Sequence, residues 1–502
     1  MSPESRKVVL FSPPYEGKIF GPPLGLLSLA SSIREQGFTP VVIDGAITSN
    51  FLSLIVEESR NAFAFGVSVL TGPMIRNAVA ASRVVRASRP DLPVIYGGWH
   101  PTLLSAQTLR EDFVDIVVRH QGEKTLIEIL QRQAAGASLD LVAGCWFKCN
   151  GNIITNADRP ASPLSSLPTP AYDLVDFESY ARIAKGRRLP YATSIGCPYA
   201  CNYCTDMVFY NRRFNPQSVS SVVTEIVRLV NKHGLDEIAL VDSNFLVDTR
   251  RALSLARGFI ESNVKFRWTF QASTDLLCRL SDEEVWLLAR SGVSHIGFGT
   301  ESASPEILRK MHKGHQKIED MFEAARKCRD AGIRVTYNLI FGYPGEEERH
   351  RRETLRVMGQ IAERFENVTF SPNLFTPYPG IPIWPELRQA GLSEPQSLEE
   401  WASVGLGQVE LPWLSRKETA QLSRSMSYFM LTNQASKFTN KLRSGFRRKA
   451  MRLLQKPLHW RLKHQAFGIP VELWASMAQN WLVLRRSLLT GEPLGRQMKE
   501  VQ

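Results

Sequence analysis

Between residues 7 and 135, hydrophobic positions alternate between two patterns, one typical of buried strands and one typical of helices. Five segments are almost continuously apolar, namely residues 7–12, 39–44, 63–69, 93–97 and 116–118. Parallel strands have this pattern when helices cover both faces of their sheet. A helix pattern fills residues 24–36 and stops at Gly37, a residue type that often closes helices. The pattern predicts an α/β domain with a doubly wound parallel sheet, which we assign to residues 1–139.

A second series of strand patterns begins at Tyr191. The strand-like segments are residues 191–195, 237–241, 267–271, 295–300, 334–340 and 368–374. Helix patterns such as residues 219–232 and 319–331 lie between them. Six parallel strands with helical crossovers predict a partial (β/α)6 barrel, whose active site would lie at the carboxyl ends of the strands.

The remaining segments complete a prediction of four regions. Residues 140–187 are rich in Pro, Ser, Asn and Asp, and we interpret them as a linker with a small hairpin at 145–155. The barrel is assigned to residues 188–394. From residue 395 to 502 the strand pattern disappears, which predicts a C-terminal helical domain or lid.

The composition of the chain bears on its cellular location and shows an uneven distribution of charge. The chain has 502 residues, of which 43% are hydrophobic and 22% charged, as expected for a multidomain globular protein. Its first residues show no secretory pattern, and no segment offers the ~20 consecutive apolar residues of a membrane span. We therefore predict a cytoplasmic protein. The net charge is +12, and residues 419–471 contain no Asp or Glu. This basic segment, with Trp460, Trp474 and Trp481 in or near it, favours either peripheral membrane contact or a helical lid.

Three of the seven cysteines lie within eight residues, at Cys197, Cys201 and Cys204. Three thiolates in a loop after a strand suit an iron–sulfur cluster or zinc. Structural zinc normally takes four protein ligands, and no fourth Cys or His lies nearby. Three ligands on a four-iron cluster leave one iron open for a cofactor. The spacing therefore favours an iron–sulfur cluster, and the other cysteines, Cys145, Cys149, Cys278 and Cys328, are interpreted as ordinary thiols.

The cysteine motif, with Tyr203 before its last cysteine, resembles the signature of the radical S-adenosylmethionine (SAM) superfamily. Four further segments resemble that family at the ends of the second, fourth, fifth and sixth barrel strands. The resemblance implies that Cys197, Cys201 and Cys204 hold a [4Fe-4S] cluster and that the cluster's open iron binds SAM. The other residues it implies for SAM are Tyr203, Asp242, Ser243, Asn244, Gly299, Glu301, Ser302, Asn338 and Gly342. Asp206 is interpreted as a helix-capping or surface residue rather than a catalytic one, and no catalytic residue is assigned.

The N-terminal domain resembles the Rossmann-like cobalamin-binding domain that precedes many radical SAM barrels. The resemblance rests on Gly97-Gly98-Trp99-His100-Pro101-Thr102 and Gln121-Gly122-Glu123, which stand where that family commonly shows GGxHPT and GEGE. It implies that cobalamin contacts Ser68, Gly97, Gly98, His100, Gly122 and Glu123, with His100 near the nucleotide tail. The DxHxxG motif is absent from the sequence, so cobalt is expected to bind without a protein imidazole.

The resemblance implies a cobalamin-dependent radical SAM methyltransferase, which moves a methyl group from SAM through methylcobalamin to an unactivated carbon. The expected substrate is a small molecule such as a secondary metabolite, tetrapyrrole or lipid, and a flavodoxin or ferredoxin is the expected electron donor. A cyclase or oxidase with the same cofactors is the alternative. A methylthiotransferase would need a second three-cysteine cluster, and a non-catalytic nucleic-acid binder would not need the first one, so neither is favoured.

Overall fold

The structure is a computed structural model, and it describes residues 6–15, 21–405, 409–441, 446–467 and 472. The chain forms two compact units. The first comprises Met1–Ala272, Leu287–Ser294 and Thr376–Glu410. The second comprises Ser273–Trp286, His295–Phe375 and Leu411–Gln502. The bounds of the four regions assigned from the sequence stay predictions.

A seven-stranded sheet forms the N-terminal part of the first unit, in the order β2-β1-β3-β4-β5-β6-β7. Its strands are β1 (Lys7–Ser12), β2 (Thr39–Asp44), β3 (Ala62–Ser68), β4 (Val94–Gly97), β5 (Ile116–Val118), β6 (Cys145–Cys149) and β7 (Asn152–Thr155). The first five pair in parallel, which confirms the predicted doubly wound α/β sheet. The hairpin assigned to the linker instead extends this sheet, because β6 pairs antiparallel with β5.

Helices follow the strands of this sheet. They are α1 (Leu24–Arg34), α2 (Phe51–Ser59), α3 (Met74–Ser88), α4 (Trp99–Leu103), α5 (Ser105–Arg110) and α6 (Glu123–Ala134). Apolar residues at helical spacing on α1 and α6, such as Ile33 and Ile129, pack with Val8 and Leu10 of β1 into one buried core. This burial fixes the strands, and with them the loops at their carboxyl ends.

The second parallel sheet has the order β15-β14-β13-β12-β11-β8. Its strands are β8 (Arg188–Tyr191), β11 (Glu237–Leu240), β12 (Arg267–Ala272), β13 (Val293–Glu301), β14 (Arg334–Phe341) and β15 (Val368–Leu374). In the first unit β11 pairs in parallel with β8 and β12, and in the second unit β14 pairs in parallel with β13 and β15. This order confirms the predicted strand series of a partial (β/α)6 barrel.

The first predicted barrel strand, residues 191–195, is wrong in its bounds. β8 ends at Tyr191, and the chain then turns into β9 (Ser194–Ile195), which pairs antiparallel with β10 (Asn215–Pro216). The apolar run is continuous in the sequence, so the break between the two strands has no signal in the hydrophobic pattern. Its cause is a tertiary contact of Asp242, described below.

The remaining helices connect or follow these strands. They are α7 (Phe177–Ala184), α8 (Thr205–Phe209), α9 (Val219–His233), α10 (Thr249–Glu261), α11 (Thr274–Cys278), α12 (Asp282–Arg290), α13 (Pro305–Lys310), α14 (Ile318–Asp330), α15 (Glu348–Arg364), α16 (Trp384–Gln389), α17 (Arg416–Lys441) and α18 (Phe446–His464). In the second unit, α17 covers strand β15, since the Asn433 side chain bonds both the N–H and the carbonyl of Phe370.

The predicted C-terminal helical region is present as α17 and α18. None of the helices in the described ranges combines the length and apolarity needed to cross a bilayer. Trp460 is half exposed, whereas Trp474 and Trp481 lie outside the described residues. Residues 442–445 and 468–471 of the basic segment also lie outside what the structure describes, and the membrane contact of the segment stays a prediction.

Candidate active site

The three clustered cysteines lie on the loop between β9 and α8. Cys201 is buried, and Cys197 and Cys204 are half-buried. Gly196 begins this loop with φ +78°, a left-handed conformation that favours glycine. A Cβ atom at Gly196 would lie 2.0 Å from the carbonyl oxygen of Arg213. The chain just ahead of β10 passes so close to Gly196 that only glycine fits at the start of the cysteine loop.

Asp242 anchors the chain that leads into this loop. Its carboxylate accepts hydrogen bonds from the Thr193 backbone N–H (2.8 Å), from the Thr193 hydroxyl (2.6 Å) and from the Ser194 hydroxyl. Arg251 donates to the Thr193 carbonyl oxygen at 2.7 Å from the other side. Asp242 is 2% exposed, and the protein already occupies both of its oxygens. This anchoring role corrects the predicted contact of Asp242 with SAM.

The neighbouring Ser243 faces a different group. Its side chain hydrogen-bonds Asp206 of α8, and burial raises the pKa of that carboxyl group. Both residues line a cavity, so the interpretation of Asp206 as a helix cap or surface residue is wrong. Asn244 is buried and Tyr203 is half-buried in the cysteine loop. Contacts of Ser243, Asn244 and Tyr203 with SAM stay predictions.

A cavity of about 650 Å³ lies within the first unit. Strand ends of the N-terminal sheet form one part of its lining, and β8, β9, α8 and α9 form another. The predicted cobalamin residues Ser68, Gly97, Gly98, Gly122 and Glu123 all line it. The lining also includes Trp99, His120, Phe209, Tyr210 and Glu225, which were not among the residues predicted to contact cobalamin. The family motifs gave no signal for Glu225, which lies in the middle of an ordinary amphipathic helix.

Gly98 shows why glycine is needed at the edge of the cavity. It has φ +94°, and a Cβ atom there would lie 3.0 Å from the Val69 carbonyl oxygen and 3.1 Å from the Ser68 hydroxyl. Glycine is therefore needed here because the chain end of the neighbouring strand approaches the Gly98 backbone closely.

His100 does not line this cavity. It is fully buried, its Nδ1 lies 3.0 Å from the Thr71 hydroxyl, and its ring packs edge-on against Trp401. Burial lowers the pKa of His100 to about 3, so the ring is neutral. The predicted contact with the nucleotide tail is corrected to a packing role within the first unit.

His120 ties the N-terminal sheet to the helix after the cysteines. Its Nδ1 lies 2.8 Å from the carbonyl oxygen of Phe209, and its Nε2 lies 3.3 Å from Asp158. Trp99 stacks on Phe209 with ring centroids 4.2 Å apart, and it meets Tyr210 edge-on. Because both ring nitrogens of His120 have protein partners, neither is left to bind cobalt.

The polar part of the lining is acidic. Three carboxyl groups face the cavity, those of Glu123, Asp206 and Glu225, and burial raises the pKa of each one. Among the described residues that form the lining there is no Lys or Arg. The cavity therefore offers hydrogen-bond acceptors and no cationic side chain from lysine or arginine.

Five of the predicted SAM residues belong to the second unit. Glu301, with φ +59°, forms a buried ion pair with Lys313, at 2.9 Å from Nζ to Oε1. A Cβ atom at Gly299 would lie 2.7 Å from the Glu301 carboxylate, so a larger residue at position 299 would displace the pair. Asn338 is half-buried at the middle of β14, and its carbonyl accepts a hydrogen bond from the Thr300 hydroxyl. Contacts of Gly299, Glu301 and Asn338 with SAM stay predictions.

Ser302 and Gly342 are occupied by protein contacts instead. Ser302 is fully buried, with its hydroxyl 3.1 Å from that of Thr354. The Gly342 N–H donates to Glu346 at 2.6 Å, and its carbonyl accepts from the Trp413 indole at 2.9 Å. A Cβ atom at Gly342 would lie 3.0–3.1 Å from three leucine side chains. Both residues shape the turns after β13 and β14, which corrects their predicted direct contact with SAM.

An open cavity of about 840 Å³ lies elsewhere in the second unit. Its lining is rich in charged side chains, including Arg309, Arg352, Arg356 and Lys463. No residue predicted to bind a cofactor lines it, so it plays no part in the candidate site.

Two family models match the chain: the radical SAM superfamily over residues 191–358 and the B12 binding domain over residues 17–130. An uncharacterized methyltransferase of Pyrococcus horikoshii is 28% identical over 393 residues, covering 75% of this chain and 82% of the relative. An anaerobic magnesium-protoporphyrin IX monomethyl ester cyclase of Rubrivivax gelatinosus is 25% identical over 378 residues, covering 73% of this chain and 66% of the relative.

Among solved structures, the fold is similar to that of OxsB, a cobalamin-dependent SAM radical enzyme with aqua-cobalamin bound. The TM-score is 0.72 at 15% identity, over 96% of this chain and 76% of the other. The barrel sequence and fold make the protein a radical SAM enzyme. With the B12 binding domain ahead of the barrel, the chain belongs to the cobalamin-binding radical SAM family, whose cofactors are SAM, a [4Fe-4S] cluster and cobalamin.

The three thiols fit such a cluster by their chemistry. Burial raises the pKa of the Cys204 thiol to about 12, and Asp206, Cys201 and Cys197 act in the same direction. A thiolate at this position therefore needs cationic charge beside it, as iron would provide. Among the described residues no three Cys, His, Asp or Glu side chains converge as ligands of a single metal ion. A four-iron cluster takes its cysteines on different iron atoms and does not require that convergence.

Replacing Gly196 with alanine is expected to lower the iron content of the reconstituted protein. The left-handed φ costs alanine roughly 1–2 kcal/mol, and the contact with the Arg213 carbonyl adds to it. Iron and sulfide per chain would be measured after anaerobic reconstitution. Gly186→Ala is the control, since nothing lies within 4 Å of its Cβ position. Equal iron in both variants would contradict the account of the loop.

Replacing Asp242 with alanine is expected to lower both stability and iron content. The change leaves the Thr193 N–H and the hydroxyls of Thr193 and Ser194 buried without their acceptor, at a cost of about 1–3 kcal/mol per unsatisfied group. Asp242→Asn keeps one acceptor and should lose less of both. Urea unfolding and iron content test this, and a stable Asp242→Ala protein with full iron would refute the anchoring role.

Stability is expected to fall as pH rises through the range in which Glu346 titrates. Burial raises the pKa of Glu346 from 4.5 to about 8. The folded protein therefore holds this proton more tightly than the unfolded chain does. The resulting stabilisation is complete below about pH 4.5 and is lost as the pH approaches 8.

Glu346→Gln should remove this part of the pH dependence, because the amide is neutral and its oxygen still accepts from Gly342. The difference in unfolding free energy between wild type and variant should grow toward pH 8 by a few kcal/mol, at about 1.4 kcal/mol per pKa unit. Urea midpoints at pH 5 to 8 measure it. The exposed neighbour Glu347, changed to Gln, is the control, and parallel curves for wild type and Glu346→Gln would rule the effect out.

Proposed function

We propose that the protein is a cobalamin-dependent radical SAM methyltransferase that methylates an unactivated carbon of a small molecule. One observation carries the proposal. The cavity bounded by the glycine-rich strand ends of the B12 binding domain is also lined by Asp206, Phe209 and Tyr210, which directly follow the last cluster cysteine. A cofactor held in this cavity would therefore lie against the cluster helix α8.

The residues of the chain have separate tasks in this proposal. Cys197, Cys201 and Cys204 would hold the cluster, and Asp242 with Arg251 would position the chain ahead of them. Ser68, Gly97, Gly98, Gly122 and Glu123 would contact cobalamin. The cluster, SAM and cobalamin together supply reductive SAM cleavage and a carrier for the methyl group.

Contacts with SAM are proposed for Tyr203, Ser243 and Asn244 near the cluster, and for Gly299, Glu301 and Asn338 in the second unit. Trp99, Phe209 and Tyr210 form an apolar wall between the B12 binding domain and α8, which would exclude water from the reacting groups. An external low-potential electron donor of the flavodoxin or ferredoxin type and a cytoplasmic location complete the proposal.

A cyclase or oxidase that uses the same cofactors is the second candidate. It is favoured by the similarity to the magnesium-protoporphyrin IX monomethyl ester cyclase, which is close to that of the methyltransferase relative in extent. The chain's own cavity fits both candidates, because both place cobalamin beside the cluster.

The two candidates differ in what they make from SAM even without substrate. The purified protein, reconstituted with iron, sulfide and hydroxocobalamin, would be incubated anaerobically with SAM and a strong reductant. A methyltransferase should release S-adenosylhomocysteine up to about one equivalent per cobalamin, together with 5′-deoxyadenosine. Deoxyadenosine without S-adenosylhomocysteine would favour the cyclase.

Cys201→Ala is expected to reduce deoxyadenosine formation to background, because the cluster loses one of three ligands. The exposed Cys149 in the hairpin is the matched control, and Cys149→Ala should keep wild-type yields. Liquid chromatography with mass detection measures both products. Undiminished deoxyadenosine from Cys201→Ala would overturn the radical SAM assignment of this loop.

A further inference from the structure

Two carboxyl groups in the 650 Å³ cavity are only half satisfied by the protein. Glu225 accepts a hydrogen bond from the Tyr191 hydroxyl on Oε2 at 2.7 Å, and Glu123 accepts one from the Ser28 hydroxyl on Oε1 at 2.6 Å. In the described part of the chain, Oε1 of Glu225 and Oε2 of Glu123 are buried and have no hydrogen-bond partner. Buried acceptors without donors are uncommon in folded proteins and cost free energy.

The carboxylate of Glu225 is held in place by its surroundings. Tyr191 is buried, and its hydroxyl also lies 3.3 Å from the Gln217 side-chain oxygen. Gln217 is in turn fixed by a hydrogen bond to the Ala192 carbonyl at 3.0 Å. The carboxylate therefore meets a ligand with its orientation already set, which lowers the entropic cost of binding.

The charge of the lining restricts what the open oxygens can bind. No described lining residue is Lys or Arg, so no such side chain neutralises Glu225, and the Thr169 side chain is its other protein neighbour beside Tyr191. A ligand that reaches the open Oε1 would meet it with an N–H or O–H donor. Cobalamin carries primary acetamide and propionamide groups around the corrin ring, and each offers two N–H donors. An amide is neutral, so it satisfies a buried acceptor without adding a second charge.

We propose that Oε1 of Glu225 accepts a hydrogen bond from the primary amide of a propionamide side chain at the periphery of the corrin ring. Glu123 offers a second acceptor, from the B12 binding domain. This inference rests on the proposed function, which places cobalamin in the cavity, and it assigns to α9 of the barrel a part in choosing the corrinoid. This contact makes the site selective among corrinoids. An analogue with a carboxylate in place of that amide would place its negative charge beside the Glu225 carboxylate, and it would therefore bind more weakly.

The test is an anaerobic absorbance titration of cluster-reconstituted, cobalamin-free protein with hydroxocobalamin and with its b-, d- and e-monocarboxylic acids. In each acid, one propionamide is replaced by a carboxylate. Wild type should bind one acid about tenfold or more weaker than hydroxocobalamin, which corresponds to 1.4 kcal/mol. In Glu225→Gln the ratio of the affinities for hydroxocobalamin and for that acid should fall toward one, whatever the change in the affinity for hydroxocobalamin itself. Glu261→Gln, on the exposed end of α10, is the control and should behave as wild type.

The outcomes separate this inference from the proposed function. If hydroxocobalamin and all three acids bind wild type equally well, the cobalamin site stands and the role of Glu225 is overturned. The role of Glu225 is also overturned if Glu225→Gln still discriminates against the acid and Glu123→Gln does not. In that case Glu123 is the residue that recognises the amide. If hydroxocobalamin itself does not bind, the proposed function fails. The series on wild type needs no variant, so it tests the inference even if Glu225→Gln does not fold.

Discussion

The buried carboxylate of Asp242 is the constraint on which the candidate active site depends. Positioned after β11, it bonds the backbone and hydroxyl of Thr193 and the hydroxyl of Ser194, and Arg251 holds the same segment from α10. These contacts end β8 at Tyr191 and redirect the chain into the β9–β10 ribbon. The cysteine loop begins directly after β9, at the left-handed Gly196. A charged group far from the cysteines in sequence thus fixes where the cluster loop starts.

In the first unit, the B12 binding domain and the helix after the cysteines both line the 650 Å³ cavity. The B12 binding domain contributes glycine-rich strand ends to the lining, while the helix after the cysteines contributes Asp206, Phe209 and Tyr210. His120 and Trp99 bind that helix through the Phe209 carbonyl and ring. The same contacts that join the domain to α8 also close the cavity wall, so the proposed cobalamin site lies beside the cluster loop. The acceptor-rich lining then suits a large ligand that carries amides rather than anions.

Several residues in family motifs have buried contacts with the protein that support the site. Asp242, Ser302, Gly342 and His100 all lie in segments that resemble family motifs, and all four have buried protein partners. Their conformations are needed at the strand ends, where turns must leave room for ligands. A motif identifies the turn, but it does not distinguish the side chain that faces the ligand from the one that holds the turn.

By itself the sequence determined the two parallel sheets, most of their strands in chain order and the cysteine centre. These features depend on local signals, which are apolar runs at strand spacing, glycines after strands and three cysteines in eight residues. Tertiary structure alone decided the break after Tyr191, the burial of His100 and the place of Glu225 in the cavity. Each of these depends on contacts between residues distant in the chain, such as Thr193 with Asp242 or His100 with Trp401. Hydrophobic periodicity indicates which face of a helix or strand is buried, but it does not indicate which other part of the chain covers that face.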